Sequence, residues 1–115
     1  MNANNVIVGS ESSSVRVLRN VLGHSQTGVA LFGGGNRVQD NVIFDTRVFD
    51  GVYVQGNDNV VHGNDITRSA EAGVFLAGND NRVSNNRLNE AGVGIIDVGA
   101  GNRLLNNTIL NTAAP

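Results

Sequence analysis

Four residues of this chain could carry out acid–base chemistry if the fold stacked them: His24, Asp45, Arg68 and Glu90. They recur every 21 to 23 residues, so an architecture that rises one layer per recurrence would place them in a column. Asp45 and Glu90, two layers apart, would then stand about 10 Å from each other, near the upper limit used by inverting glycosidases, with Arg68 between them. Arg47, Asp50 and Glu71 are close enough in sequence to complete a set of acid, base and cation. The competing reading is plainer. Turns that vary in length are solvated and carry charges of both signs. That reading is preferred, and no residue is assigned to catalysis.

Two other groupings have chemistry in them. Asp58 and Asp80 sit in two copies of Gly-Asn-Asp-Asn, "GNDN", and stacked at one layer they would bring two carboxylates to about 5 Å, a separation that Ca²⁺ could bridge. Turn chemistry alone explains Asn-Asp there, so no metal and no cofactor is expected. Arg16, Arg37, Arg82 and Arg103 form a second column, interrupted by Val60. It could hold carboxylates or sulfates of an acidic glycan. An ordinary charged sheet face is preferred, with Asp40, Asp58 and Asp80 as counter-charges.

Whether any of these residues meet depends on what positions them, and that is a repeat. Counting from Gly28, Gly51, Gly73 and Gly94, the fifth residue on is Gly33, Gly56, Gly78 or Gly99, and the eighth is Asn36, Asn59, Asn81 or Asn102. The tenth is Val38, Val61, Val83 or Leu104; the thirteenth is always Asn, at Asn41, Asn64, Asn86 and Asn107; two further on stand Ile43, Ile66, Leu88 and Ile109. A degenerate copy precedes these, with Val17, Asn20 and Leu22 in register but Ile7, Ser12 and Val15 at the Gly, Gly and Asn positions. It reads as an edge unit.

Apolar residues alternate within each unit and each run is broken by Gly or Asn, which specifies short strands. Three short strands per unit, each with one apolar side, can wrap once around an axis and stack on the same strands of the next unit. A leucine-rich repeat would need a helical return, and no segment has helical periodicity. The expected fold is all-β: a right-handed parallel β-helix of about five coils, three strands each, in one domain spanning residues 1–115, with coils starting near Ile7, Gly28, Gly51, Gly73 and Gly94. Asn20, Asn41, Asn64, Asn86 and Asn107 should form a ladder at the second corner, bonded one to the next and taking up the left-handed conformation of the turn.

This pattern of Gly, aliphatic, polar turn and paired Asn columns, from about Val6 to Leu110, resembles the repeats of the pectate-lyase-like superfamily. Its closest likeness in style is to NosD-like and carbohydrate-binding or sugar-hydrolase repeats. The resemblance implies the β-helix fold and a protein that is often secreted or periplasmic. It implies no particular activity, since the superfamily includes lyases, hydrolases, epimerases and proteins without known chemistry. The Asn-Thr-Asp, Asp-Asp and Arg-Ile-Lys motifs of polygalacturonases and the Asp-Pro-His of alginate epimerases are missing, so no catalytic residue carries over.

Alternation along the first strand turns Val29 and Leu31, Val52 and Val54, and Val74 and Leu76 inward. Phe32, Tyr53, Phe75 and Ile96 then point outward on one sheet face, with Phe49 in the loop before it. A contiguous apolar stripe of this kind marks a contact surface. In the last coil the same count points Asp97 inward; starting that coil at Gly92 would put Val93 and Ile95 inside and free it. Composition excludes other classes. The net charge is −2 with all eight cations as Arg, which gives no bulk attraction to nucleic acid or anionic membrane. No run is long enough to span a bilayer, no leader pattern opens the chain, and the absence of Cys leaves the redox compartment open. The expected function is a non-catalytic binding or assembly module, either a homo-oligomer or a partner of polysaccharide, acting through the aromatic face. An enzyme acting on acidic glycans and a structural segment of a larger β-helix are the alternatives.

Overall fold

The computed structural model describes residues 4–113, and all regular structure in them is β-strand. The first coil holds β1 (Asn4–Val8), β2 (Arg16–Leu18) and β3 (Val21–Ser25); the second holds β4 (Thr27–Leu31), β5 (Arg37–Gln39) and β6 (Val42–Thr46). The third holds β7 (Val52–Val54), β8 (Val60–His62) and β9 (Asp65–Ser69); the fourth, β10 (Ala72–Leu76), β11 (Arg82–Ser84) and β12 (Arg87–Asn89). The fifth is β13 (Val93–Asp97), β14 (Arg103–Leu105) and β15 (Thr108–Leu110). Each strand pairs in parallel with its counterpart one coil away, giving three five-stranded sheets in the orders β1-β4-β7-β10-β13, β2-β5-β8-β11-β14 and β3-β6-β9-β12-β15. The chain is a parallel β-helix of five coils.

In-register pairing stacks like on like. Val8, Leu31, Val54 and Leu76 form one inward column, Val17, Val38, Val61, Val83 and Leu104 a second, and Leu22, Ile43, Ile66, Leu88 and Ile109 a third. In the second to fourth coils these side chains are 0–1 % exposed, and each contributes about 1.5–3 kcal/mol by leaving water. The recurrent glycines answer to closeness between coils. A Cβ on Gly78 would run into the carbonyl oxygen of Gly56, and one on Gly99 into that of Gly78.

The Asn columns form two hydrogen-bonded ladders. In the second-corner ladder the N–H of Asn41 donates to Oδ1 of Asn64 at 2.9 Å, that of Asn64 to Asn86 at 2.8 Å, and that of Asn86 to Asn107 at 3.0 Å. Each Nδ2 reaches back to a carbonyl of the preceding coil, Asn64 to Val38 and Asn86 to Val61 at 3.0 Å. The first-corner ladder of Asn36, Asn59, Asn81 and Asn102 works alike, with the N–H of Val15 completing it at 2.9 Å in the edge coil. One expectation is corrected. The left-handed residue is not the ladder Asn but the one before it: Arg19, Asp40, Gly63, Asn85 and Asn106 at the second corner. The ladder Asn is thereby free to point inward, where buried N–H and C=O groups need partners.

The last coil keeps the Gly94 register. Val93, Ile95, Ile96 and Asp97 pair with Ala72, Val74, Phe75 and Leu76, so the alternative start at Gly92 is not adopted. Asp97 stands at the end of an inward column yet is exposed, and its Oδ1 accepts the Gly99 N–H at 3.1 Å and Asn102 Nδ2 at 2.8 Å. Solvation and two donors make the position tolerable for a carboxylate.

Candidate functional site

The first-strand sheet carries an apolar groove on its outer side. Register places Ile7, Ala30, Tyr53, Phe75 and Ile96 in one outward column. Phe32, just beyond the end of β4, brings its ring centroid to 5.9 Å from that of Tyr53, and Tyr53 lies 5.6 Å from Phe75. These separations fall in the range of favourable aromatic pairs. Ala30 makes the hollow. Where neighbouring coils carry Tyr53 and Ile7 it has only a methyl group, so the rings close over it and leave it 3 % exposed. Phe32, Tyr53, Phe75 and Ile96 are half-buried, and Phe49, 45 % exposed, forms the lip. The cavity has a volume of about 410 Å³, and Gln26, Thr27, Asp50 and Glu71 complete its lining. Ile96 belongs to the same column but lies outside the lining.

Asp50 is the least expected member. Thr27, Asp50 and Ala72 occupy the residue before the leading Gly of successive coils. Asp50 is buried, and its Oδ1 accepts the Ala72 N–H at 3.0 Å. Burial lifts its pKa from the ordinary 3.8 to about 6, against the stabilising Ala72 N–H and with the Glu71 charge adding to the rise. Sequence spacing groups Arg47, Asp50 and Glu71 with the charged column. The structure separates them: Arg47 goes to that column, while Asp50 and Glu71 face the rings. The available signal is that an acid replaces Thr and Ala at an otherwise small, neutral position.

The charged column forms, but as a corner. His24, Asp45, Arg68 and Glu90 all have left-handed backbone, with φ of 58°, 54°, 59° and 59°. They make an alternating ion-pair chain: Arg68 Nε binds Asp45 Oδ1, its NH1 lies 3.8 Å from Glu90 Oε2, and His24 Nδ1 lies 3.5 Å from Asp45 Oδ2. The Arg68 guanidinium holds Asp45 below the usual carboxylate range, so at neutral pH Asp45 is ionised and not a proton donor. The four side chains are a quarter to more than half exposed, where such pairs contribute little. Asp58 and Asp80 are the left-handed residues of the first corner, at φ 60° and 57°. No group of three His, Cys, Asp or Glu gathers to hold a metal among the described residues.

One further expectation changes. Arg16, Arg37, Arg82 and Arg103 stack in one column, but among the described residues no carboxylate pairs with them; Arg37 instead donates to Gln39 Oε1 at 2.9 Å. Phe44, which the sequence pattern does not single out, lies on the third sheet, away from the aromatic face. Its ring covers Gly23 on the third sheet and meets the edge of His24 at 5.1 Å.

The family described as "Periplasmic copper-binding protein (NosD)" matches residues 1–114. The chain belongs to the NosD family. No curated protein and no solved structure gives a significant match. The copper in the NosD description prompts a test of the donors present here. There is no Cys, the single Met is Met1, outside the described residues, and the two His lie on different sheets. His24 Nδ1 faces the Arg47 guanidinium at 3.1 Å, and His62 Nδ1 shares a hydrogen bond with Ser84 Oγ at 2.7 Å. Copper needs several thiolate, thioether or imidazole donors converging on one point, and these residues do not fit such a site.

Proposed function

We propose that this chain is a non-catalytic binding module that seats a saccharide on the outer face of its first-strand sheet. The observation that carries the reading is the row of Phe32, Tyr53 and Phe75 rings around Ala30, at 5.9 and 5.6 Å between centroids. Apolar sugar faces stack on such rings, while Gln26 and Thr27 at the wall offer polar groups to hydroxyls. The rigid β-helix fixes the spacing of the row, so little ordering is needed on binding. Titration of the chain with a panel of oligosaccharides, followed by calorimetry, tests this. Binding by some member should be lost in Ala30→Phe, which fills the groove from an outward position that the core does not use. No binding by any member, or binding unaffected by Ala30→Phe, would overturn it.

Self-association through the same face is a second reading, favoured by Phe49, which stands 45 % exposed at the lip of the aromatic row. Two copies meeting there about a two-fold axis would bury the apolar stripe on both sides. Light scattering tests it: Tyr53→Arg with Phe75→Glu should give monomers, and assembly unchanged in that variant would overturn it.

A further inference from the structure

The groove holds a charge that ring stacking does not use. Asp50 is 4 % exposed and lines the groove beside Glu71. Its Oδ1 takes the Ala72 N–H, and its other oxygen has no protein partner among the described residues. The nearest sequence cation, Arg47, lies in the hollow of the charged column instead. A carboxylate buried against aromatic rings without a cation is unfavourable. The fold does not demand it, because the equivalent residues of adjoining coils are Thr27 and Ala72, and an Asn could accept the same N–H. All the charged groups of the lining are acids, and the faces of Phe32, Tyr53 and Phe75 carry the negative side of the ring quadrupole. Rings and carboxylates around one hollow are complementary to an organic cation.

We propose that the groove selects saccharides bearing a protonated amine, that is amino sugars, with the ammonium held by Asp50 and Glu71 and the pyranose faces on Tyr53 and Phe75. This inference rests on the saccharide reading above and narrows it. By the same charges the groove disfavours uronates and sulfated sugars. An acidic glycan would find two carboxylates and no cation in this lining.

The test compares glucosamine oligomers with their N-acetylated counterparts of equal length, by calorimetric titration of the full chain at neutral pH and moderate salt. Acetylation keeps the ring and removes the charge. The amine form should bind about tenfold tighter or more. Asp50→Asn, which retains an acceptor for Ala72, should bring the two affinities within about twofold of each other, with a melting temperature no lower than that of the parent chain. Glu71→Gln, at an exposed position, should narrow the gap part-way. Equal affinity for both oligomers in the parent chain would overturn the amino-sugar assignment and leave saccharide binding standing. An undiminished preference in both variants would overturn it too, by showing that bulk negative charge draws the amine. Binding of neither oligomer, nor of any neutral one, would remove the saccharide reading itself.

Discussion

Replacing Asn64 by Leu probes the ladder at its centre. The Asn64 side chain makes four hydrogen bonds: Oδ1 accepts the Asn41 N–H at 2.9 Å and Asn41 Nδ2 at 3.0 Å, while Nδ2 donates to the Val38 carbonyl at 3.0 Å and to Asn86 Oδ1 at 2.9 Å. Leu removes all four and leaves the buried Asn41 N–H without an acceptor. At about 1 kcal/mol net for each bond the loss is about 4 kcal/mol, and the apolar surface that Leu adds returns about 1 kcal/mol. The expected destabilisation is about 3 kcal/mol. Asn20→Leu is the control. The Asn20 side chain is exposed and makes a single bond, Nδ2 to Asn41 Oδ1 at 3.2 Å, so its loss should stay below about 1 kcal/mol. Urea titrations followed by circular dichroism, with unchanged m-values, measure both. Equal losses in the two variants, or a negligible loss in Asn64→Leu, would refute the ladder as a source of stability.

Asp50 should make stability depend on pH in an unusual direction. Its folded pKa of about 6 lies above the ordinary 3.8, so the folded chain holds the proton more tightly; the contribution is fully present below about pH 4 and lost as pH rises through 6. The span is up to ~3 kcal/mol, less where water enters from the groove, and Asp50→Asn should flatten that part of the profile. A profile unchanged by the substitution would show that Asp50 is not desolvated. Gly78→Ala should destabilise by about 2–4 kcal/mol, since its Cβ meets the Gly56 carbonyl of the adjacent coil; Gly35→Ala, with open space around it but φ of 70°, should cost about 1 kcal/mol. Glu90→Asn should leave saccharide binding unchanged and folding unimpaired, because Asn suits the left-handed corner at least as well. Release of reducing ends by the parent chain, lost in Glu90→Asn, would instead establish the charged column as catalytic.

Much of the fold is written in residue types. Identical spacing of Gly, aliphatic and Asn columns forces identical strands to stack, and the register follows from counting. Backbone conformation is less legible. The left-handed positions of the second corner are Arg19, Asp40, Gly63, Asn85 and Asn106, five residues with no common side-chain chemistry, whereas the Asn after each one is invariant across the coils. The eye goes to the Asn; the turn is made by its neighbour. The same effect gives the charged column its suggestive look, since a corner that tolerates any solvated residue has room for His, Asp, Arg and Glu. The aromatic row is visible because alternation alone sends Tyr53 and Phe75 outward. The hollow among the rings is not, because it depends on what is missing at Ala30. Nor does sequence distance show that Asp50 turns toward the rings while Arg47, three residues earlier, turns toward Asp45 and Arg68. Loop geometry between β6 and β7 decides that, and no repeat constrains it.

The most direct measurement of the central claim is a titration of isotope-labelled chain with oligosaccharide, followed by NMR of protein and sugar together. Resonance shifts confined to the groove, at Gln26, Thr27, Ala30, Phe32, Asp50, Tyr53, Glu71 and Phe75, with the sugar spectrum intact after prolonged incubation, are the predicted result. Shifts centred on Asp45, Arg68 and Glu90, accompanied by new reducing-end or unsaturated-sugar signals, would contradict it.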